Sequence, residues 1–264
     1  MARAKKGSAR RDEQGGAAKA LLVTGGSRGI GAACALRAAA RGYAVAISYR
    51  DNRAAADAVT RSIERAGGRA IAIRADVSIE EDVVAMFRAV DAEFGRLHAL
   101  VNNAGVVAPA QRVADYDVAR MRRVFDTNVL GSFLCAREAV RRMSTRLGGA
   151  GGAVVNISSV AARLGAPNEY VDYAASKGAI DSMTIGLAKE VATEGVRVNA
   201  VRPGLILTEI HASGGEPGRV ERLRHLVPMQ RGGTAEEIAA AVLWLISDEA
   251  SYVTGALLDV GGGR

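Results

Sequence analysis

The stretch Ala20-Leu21-Leu22-Val23-Thr24-Gly25-Gly26-Ser27-Arg28-Gly29-Ile30-Gly31 decides the fold. Its first five residues are a short apolar run of the length of a buried strand. Glycines follow at Gly25, Gly29 and Gly31, and an alanine-rich helical segment continues to about Arg41. Strand, glycine turn and helix together aim a helix N-terminus at a phosphate. Gly25 then allows the tight turn, Gly29 lets the backbone approach a pyrophosphate, and Gly31 lets the helix pack closely on the strand. The spacing is Gly-x-x-x-Gly-x-Gly, not the Gly-x-Gly-x-x-Gly of the common dinucleotide fingerprint. A plain strand-helix turn can use the same glycines; the flanking strand and helix favour the phosphate reading.

Downstream the alternation repeats. A strand over Ala44–Tyr49 leads through Arg50-Asp51-Asn52 into a helix to about Ala66. Nucleotide-binding folds often place an acidic residue at the end of this strand to hold ribose hydroxyls. Here Tyr49 is followed by Arg50, and with Arg28 two guanidinium groups can converge on a 2′-phosphate, which favours NADP(H) over NAD(H). A register slip of one residue would put Asp51 there instead. A third strand, Ala70–Arg74, precedes Asp76-Val77, where the carboxylate can accept from an adenine amino group or cap the helix over 80–94. A strand over 99–102 runs into Asn103-Ala104-Gly105, small residues and an amide suited to a ligand crevice.

One long helix is expected over 115–146, with Asn128 inside it, a poor residue for a helix interior. After the glycine loop at 148–152, a strand over 153–157 ends at Ser158-Ser159, where a hydroxyl can meet a substrate carbonyl. The helix from Tyr173 to about Val191 carries Tyr173 and Lys177 four residues apart, on one face and one turn apart. An ammonium beside a phenol favours the phenolate and lowers its pKa, which makes Tyr173 a tuned proton donor and Lys177 its tuner. A strand over 196–201 ends at Arg202-Pro203-Gly204. Residues 205–230, with broken periodicity, three glycines and two prolines, read as a mobile lid. His98, His211 and His225 read as solvated. A helix over 234–247 and a strand over 256–260 close the chain.

Strands alternating with helices seven times call for an α/β chain: a single Rossmann domain with a doubly wound, seven-stranded parallel sheet and helices on both faces. Ligands in such folds bind outside the carboxyl ends of the strands, where every motif above falls.

Composition agrees. Of 264 residues, 49% are apolar and only 4% aromatic, so the core is mostly Ala, Val, Ile and Leu. Cys34 and Cys135, the only cysteines, lie far from metal-like spacing, which argues against a disulfide framework or zinc site and for a reducing cytoplasm. Three of the seven net positive charges fall in the first fourteen residues, where Arg3, Lys5, Lys6, Arg10 and Arg11 face Asp12 and Glu13. Residues 1–18 read as a disordered basic tail without the apolar region of a secretory signal. The tail could touch nucleic acid only through non-specific charge. No run reaches the roughly 20 apolar residues of a membrane span.

The combination Thr24-Gly25-x-x-x-Gly29-x-Gly31, Asn102-Asn103-Ala104-Gly105, Asn128, Ser158-Ser159, Tyr173-x-x-x-Lys177 and Pro203-Gly204 resembles the short-chain dehydrogenase/reductase family over residues 19–264. The stretch from Glu169 to Gly178 is similar to a bacterial subgroup often grouped with sugar-type, glucose 1-dehydrogenase-like members. The resemblance implies hydride transfer between a nicotinamide cofactor, NADP or NAD, and a small-molecule carbonyl or secondary alcohol. It implies Tyr173 as general acid or base, Lys177 as its tuner and ribose ligand, a serine on the reacting oxygen, and Asn128 holding a water that links Lys177 to solvent. Ser159 is fourteen residues before Tyr173, where the family usually has thirteen; it is preferred to Ser158, with the extra residue absorbed in the turn 165–168. The cofactor contacts implied are Gly25, Ser27, Arg28, Gly29, Ile30, Gly31, Arg50, Asp76, Val77, Asn103, Ala104, Gly105, Tyr173, Lys177, Pro203, Gly204, Ile206 and Thr208. A homo-oligomer, a tetramer, is implied as well. The alternative is a catalytically silent NADP(H)-binding sensor or scaffold, which would be marked by a lost catalytic residue.

Overall fold

The computed structural model describes residues 18–264, so the expected tail falls, but for Ala18, outside the described residues. Seven strands form one sheet: β1 (Ala20–Val23), β2 (Ala44–Tyr49), β3 (Ala70–Arg74), β4 (Leu97–Asn102), β5 (Gly152–Ile157), β6 (Val196–Pro203) and β7 (Leu257–Val260). Their order is β3-β2-β1-β4-β5-β6-β7 and every pair is parallel. The order reverses between β1 and β4, the switch point at which such sheets open a ligand crevice.

Helices α1 (Gly29–Ala39), α2 (Arg53–Arg65) and α3 (Glu80–Phe94) connect the first four strands. Successive strand residues point to opposite faces, and the core divides accordingly. Leu21, Val45, Ile47 and Val101 pack with α1 and α2 in one layer. Leu22, Ala46 and Leu100 pack with α3 in the other, around the fully buried Met86 and Phe87. Strands buried on both faces read as continuous apolar runs, which is why β1 and β2 were visible in the sequence.

The expected helix over 115–146 is interrupted. It comprises α4 (Val118–Phe125), a π turn at Asp126–Leu130 and α5 (Gly131–Met143). Asn128 is the middle residue of the π turn, so the poor helix former marks the place where the regular ladder opens.

His98 is not a solvated turn residue. It lies inside β4, where the register against β1 jumps from Ala20↔Leu97 to Leu21↔Ala99. His98 is the extra residue, and its Nδ1 accepts the Ala20 N–H at 2.9 Å. The imidazole replaces a ladder bond that the bulge removes.

After β5 come α6 (Ala161–Leu164) and the long α7 (Val171–Val191), then β6. Residues 205–230 hold two short helices, α8 (Ile210–Ser213) and α9 (Arg219–Leu223). Helix α10 (Ala235–Ile246) starts at a capping box between Thr234 and Glu237. Among the described residues no helix is long and apolar enough to cross a membrane, and no group of three His, Cys, Asp or Glu is placed to hold a metal ion. Cys34 and Cys135 are buried free thiols, and burial pushes both up to about 12.

Candidate active site

A cleft of about 980 Å³ opens outside the carboxyl ends of the strands. All the site residues expected from the sequence line it except Gly31 and Asn128.

At its nucleotide end, Gly25 has φ +63°, a left-handed conformation that glycine adopts without strain. A Cβ on Gly31 would lie 2.4 Å from the Gly25 carbonyl oxygen, so Gly31 belongs to the packing of α1 under the turn. Arg28, the N-cap of α1, makes no side-chain cap bond, and the first turn holds no acidic residue. The first N–H groups of α1 therefore stay available to an anion, with the helix dipole behind them. The turn fits a dinucleotide pyrophosphate. Arg28 reaches Ser213 Oγ at 3.4 Å.

Arg50 and Asp51 both line the cleft, and they are paired, Nε to Oδ2 at 2.7 Å. The two residues that the sequence set as alternatives are thus present together. Asp76 does not cap α3; its Oδ1 accepts Ser78 N–H at 3.0 Å and Ser78 Oγ–H at 2.6 Å in a local turn, and the α3 N-cap is Ile79. The Asn103 amide is engaged by the glycine turn. It donates to the carbonyls of Thr24 at 2.8 Å and Gly25 at 3.1 Å, while Thr24 Oγ1 accepts the N–H groups of Asn103 and Ala104. These bonds lock the glycine turn onto the end of β4.

At the reacting end, α7 brings Tyr173 and Lys177 under β5. Lys177 Nζ sits 5.6 Å from the Tyr173 ring centroid and donates to the Ile157 carbonyl at 2.6 Å. Burial pushes the ammonium down to about 8, with Asp181 opposing. The phenol does not follow the expected direction: burial raises its pKa, and the Ser159 hydroxyl pulls it back only in part. Loss of hydration outweighs the neighbours because a phenolate here has few groups to replace water.

The two serines separate. Ser158 is buried and its Oγ–H donates to the Lys177 carbonyl at 3.1 Å. Ser159 Oγ accepts the Ala161 N–H and is the hydroxyl that acts on Tyr173. In the turn that follows, Gly165, Ala166 and Asn168 all have positive φ.

Asn128 stands behind the cleft wall. Its Oδ1 accepts Val106 N–H at 2.8 Å, and its Nδ2 donates to Val106 O at 2.9 Å and Ser176 Oγ at 3.0 Å. It ties the π turn, α7 and the segment after Gly105 together. A Cβ on Gly105 would lie 3.4 Å from Asn128 Oδ1 and 3.6 Å from Lys177 Nζ.

Residues that the sequence did not mark as site residues also line the cleft, among them Glu169, Tyr170, Arg219 and Arg264. His211 is half-buried in the cleft wall, not solvated; its Nε2–H donates to Ile206 O at 2.9 Å. His225 is exposed. Asp172, buried at the start of α7, accepts Tyr173 N–H at 2.9 Å and pairs with Arg120. Nothing local in the sequence marks the Arg120–Asp172 and Arg219–Glu169 pairs, whose members stand 52 and 50 positions apart; an acidic residue in the first turn of a helix was the one available cue.

Residues 25–264 match the family model described as enoyl-(acyl carrier protein) reductase. The uncharacterized oxidoreductase YgfF of Escherichia coli K12 is 59% identical over 243 residues, 92% of this chain and 98% of that protein. The chain belongs to the short-chain dehydrogenase/reductase family. Among solved members, a 3-ketoacyl-(acyl-carrier-protein) reductase from Brucella melitensis complexed with NADH superposes with a TM-score of 0.86 at 33% identity, covering 94% of this chain and 98% of that one. A short-chain dehydrogenase from Burkholderia cenocepacia J2315 in complex with NADP superposes with a TM-score of 0.84 at 35% identity, covering 93% and 97%. This short-chain dehydrogenase/reductase is accordingly an oxidoreductase acting on alcohol or carbonyl groups of small molecules. Its solved neighbours take either nicotinamide cofactor.

Proposed function

We propose that this short-chain dehydrogenase/reductase uses NADP(H) to interconvert a secondary alcohol and a ketone, with Tyr173 as general acid in reduction and general base in oxidation. The observation that carries the reading is the meeting of Tyr173, Ser159 and Lys177 in one cleft with an uncapped helix N-terminus. When bound, the cofactor supplies or accepts the hydride at its nicotinamide ring. Ser159 holds the reacting oxygen by a hydrogen bond and supports the charge that develops on it. Tyr173 gives the proton to that oxygen, or takes it. Lys177, held by Ile157 O, binds the nicotinamide ribose and offsets the phenolate as it forms. A cationic neighbour matters more once substrate and cofactor have excluded water, because charge interactions strengthen in a low-dielectric site. Asn128 fixes the wall beside Lys177 and supports the water that connects the lysine to solvent.

Arg28 and Arg50 favour the 2′-phosphate, and Asp51 moderates the preference by neutralising Arg50. Residues 205–230 form the lid: Thr208 and Glu209 approach Gly29 at one end, and Arg219 grips Glu169 at the other. The substrate is a small sugar, a 3-oxoacyl thioester or another ketone. A homo-tetramer fits the half-exposed apolar side chains Met121, Phe125 and Phe133 along α4 and α5, and a monomeric mass by light scattering would refute it. The two buried thiols suit a reducing, cytoplasmic setting.

The test is absorbance at the reduced-nicotinamide band with a panel of sugars, secondary alcohols, ketones and 3-oxoacyl thioesters, each with NADPH and NADH. Turnover on one class, lost in Tyr173→Phe with NADPH binding intact, is expected. Turnover that survives the substitution sinks the assignment of Tyr173.

A further inference from the structure

Strand β5 carries one polar side chain, Asn156, and it is fully buried. Its neighbours Val154, Val155 and Ile157 are apolar. A buried amide is costly unless it is hydrogen-bonded. Asn156 is bonded on both sides. Its Nδ2–H donates to Thr184 Oγ1 at 2.9 Å, and its Oδ1 accepts from Asn102 Nδ2 at 3.2 Å. Asn102 and Asn156 are register partners in β4 and β5.

These bonds belong to a longer chain that leaves α7 and returns to it. Thr184, on α7, donates to Ile180 O at 2.8 Å. Asn102 also donates to Ser132 O at 2.9 Å, and Ser132 Oγ–H donates to Asn128 O at 2.8 Å. Asn128 Nδ2 donates to Ser176 Oγ, whose hydroxyl donates to Tyr173 O at 2.7 Å. Asn102, Asn128, Ser132, Asn156, Ser176 and Thr184 are all buried. The chain thus joins β4, β5 and the π turn to α7 at Ser176 and again at Thr184, two points that bracket Lys177.

The end of β5 also holds Lys177 directly. The residue after Asn156 supplies the carbonyl that receives the ammonium, Ile157 O at 2.6 Å, and Ser158 Oγ–H bonds the Lys177 carbonyl. The spacing of β5 from α7 therefore sets where the ammonium rests. Stability does not require an amide for this. Losing a hydrogen bond is most costly where a buried partner is left with none, and without Asn156 the Asn102 amide keeps Ser132 O while Thr184 keeps Ile180 O. A fully bonded polar network instead fixes one arrangement of the elements it joins.

We propose that Asn156 is a positioning residue for Lys177: it fixes the end of β5 against α7, and with it the place of the ammonium beside Tyr173. That the ammonium serves Tyr173 rests on the proposed function; that Asn156 holds it in place does not.

NMR of the full chain labelled at the lysine ε-carbons tests this without a substrate. The chain has five lysines, and the Lys177 line is the one lost in Lys177→Met. In the wild type it should titrate at about 8. Asn156→Leu keeps the bulk of the side chain and removes both bonds. It should let water reach the ammonium, so that the titration rises toward the ordinary 10.5. Tyr173, Asp181 and Arg202, the partner of Asp181, are unchanged in that variant. Thr184→Val breaks the chain at its other end and should raise the titration as well, whereas Thr184→Ser keeps the hydroxyl and should not. Urea unfolding of each variant separates a displaced lysine from a loosened fold, and the rise is expected with midpoints close to that of the wild type. Should Asn156→Leu fail to fold, the two Thr184 variants decide alone. An unmoved Lys177 titration in folded Asn156→Leu or in Thr184→Val, an equal rise in Thr184→Ser, or a rise seen only where the urea midpoint has collapsed overturns the proposal. Turnover that survives Tyr173→Phe would sink the reading of Tyr173 and leave this result standing.

Discussion

The Arg120 guanidinium and the Asp172 carboxylate form a two-point ion pair, Nε to Oδ2 at 2.8 Å and Nη2 to Oδ1 at 3.2 Å, with side chains only 7% and 2% exposed. Asp172 also accepts the Tyr173 N–H, and Arg120 lies over Tyr116, whose hydroxyl accepts the Val171 N–H at 3.1 Å. Helix α4 and the first turn of α7 are thereby joined one residue before the catalytic candidate. Removing one partner leaves a buried charge without its counter-ion. Asp172→Ala or Arg120→Met should each lower stability by about 3–5 kcal/mol. Replacing both together should cost less than the sum. Urea unfolding of the three variants checks this; additive losses would show that the pair does not act as a unit.

Lys177 gives stability a definite dependence on pH. Its folded pKa is lowered from 10.5 to about 8 by burial. Between those values the unfolded chain holds a proton that the folded chain has released, so this group adds stability as pH rises through the window and withholds it below. Lys177→Met should lose that upward slope and be relatively more stable near pH 7 than near pH 10. Denaturant midpoints of both proteins at four pH values from 7 to 10 read the slope directly.

The two serines should respond differently. Ser159→Ala removes the hydroxyl beside Tyr173 and should lower kcat by roughly 10²–10³, the usual cost of losing a donor to a developing oxyanion. Ser158→Ala removes only the bond to the Lys177 carbonyl and should cost about 1 kcal/mol of stability with kcat little changed. The reverse ranking in steady-state rates would exchange their roles.

The Arg50–Asp51 pair lines the cleft and makes the proposed cofactor preference testable. On the proposed NADP(H) reading, Arg50→Asp would put a carboxylate beside the 2′-phosphate and should weaken NADPH binding by at least about tenfold while sparing NADH. Asp51→Asn releases Arg50 and should tighten NADPH. Fluorescence titration with both cofactors decides it, and equal changes in the two affinities would remove Arg50 as the discriminator.

The sequence determined what depends on near neighbours. Buried parallel strands are continuous apolar runs, the glycines at 25, 29 and 31 stand directly after the first of them, and Tyr173 and Lys177 share a helix face by spacing alone. These features sufficed for the seven-stranded sheet, its flanking helices and the nucleotide turn. Tertiary structure alone decided the rest. That Arg50 is paired with Asp51, that Asn103 faces the glycine turn, that His98 fills a bulge and that Arg120 closes on Asp172 all depend on side chains reaching across the fold. The direction of the Tyr173 shift was likewise hidden, because it is set by how many surrounding atoms displace water, and the sequence lists neighbours along the chain, not around the ring.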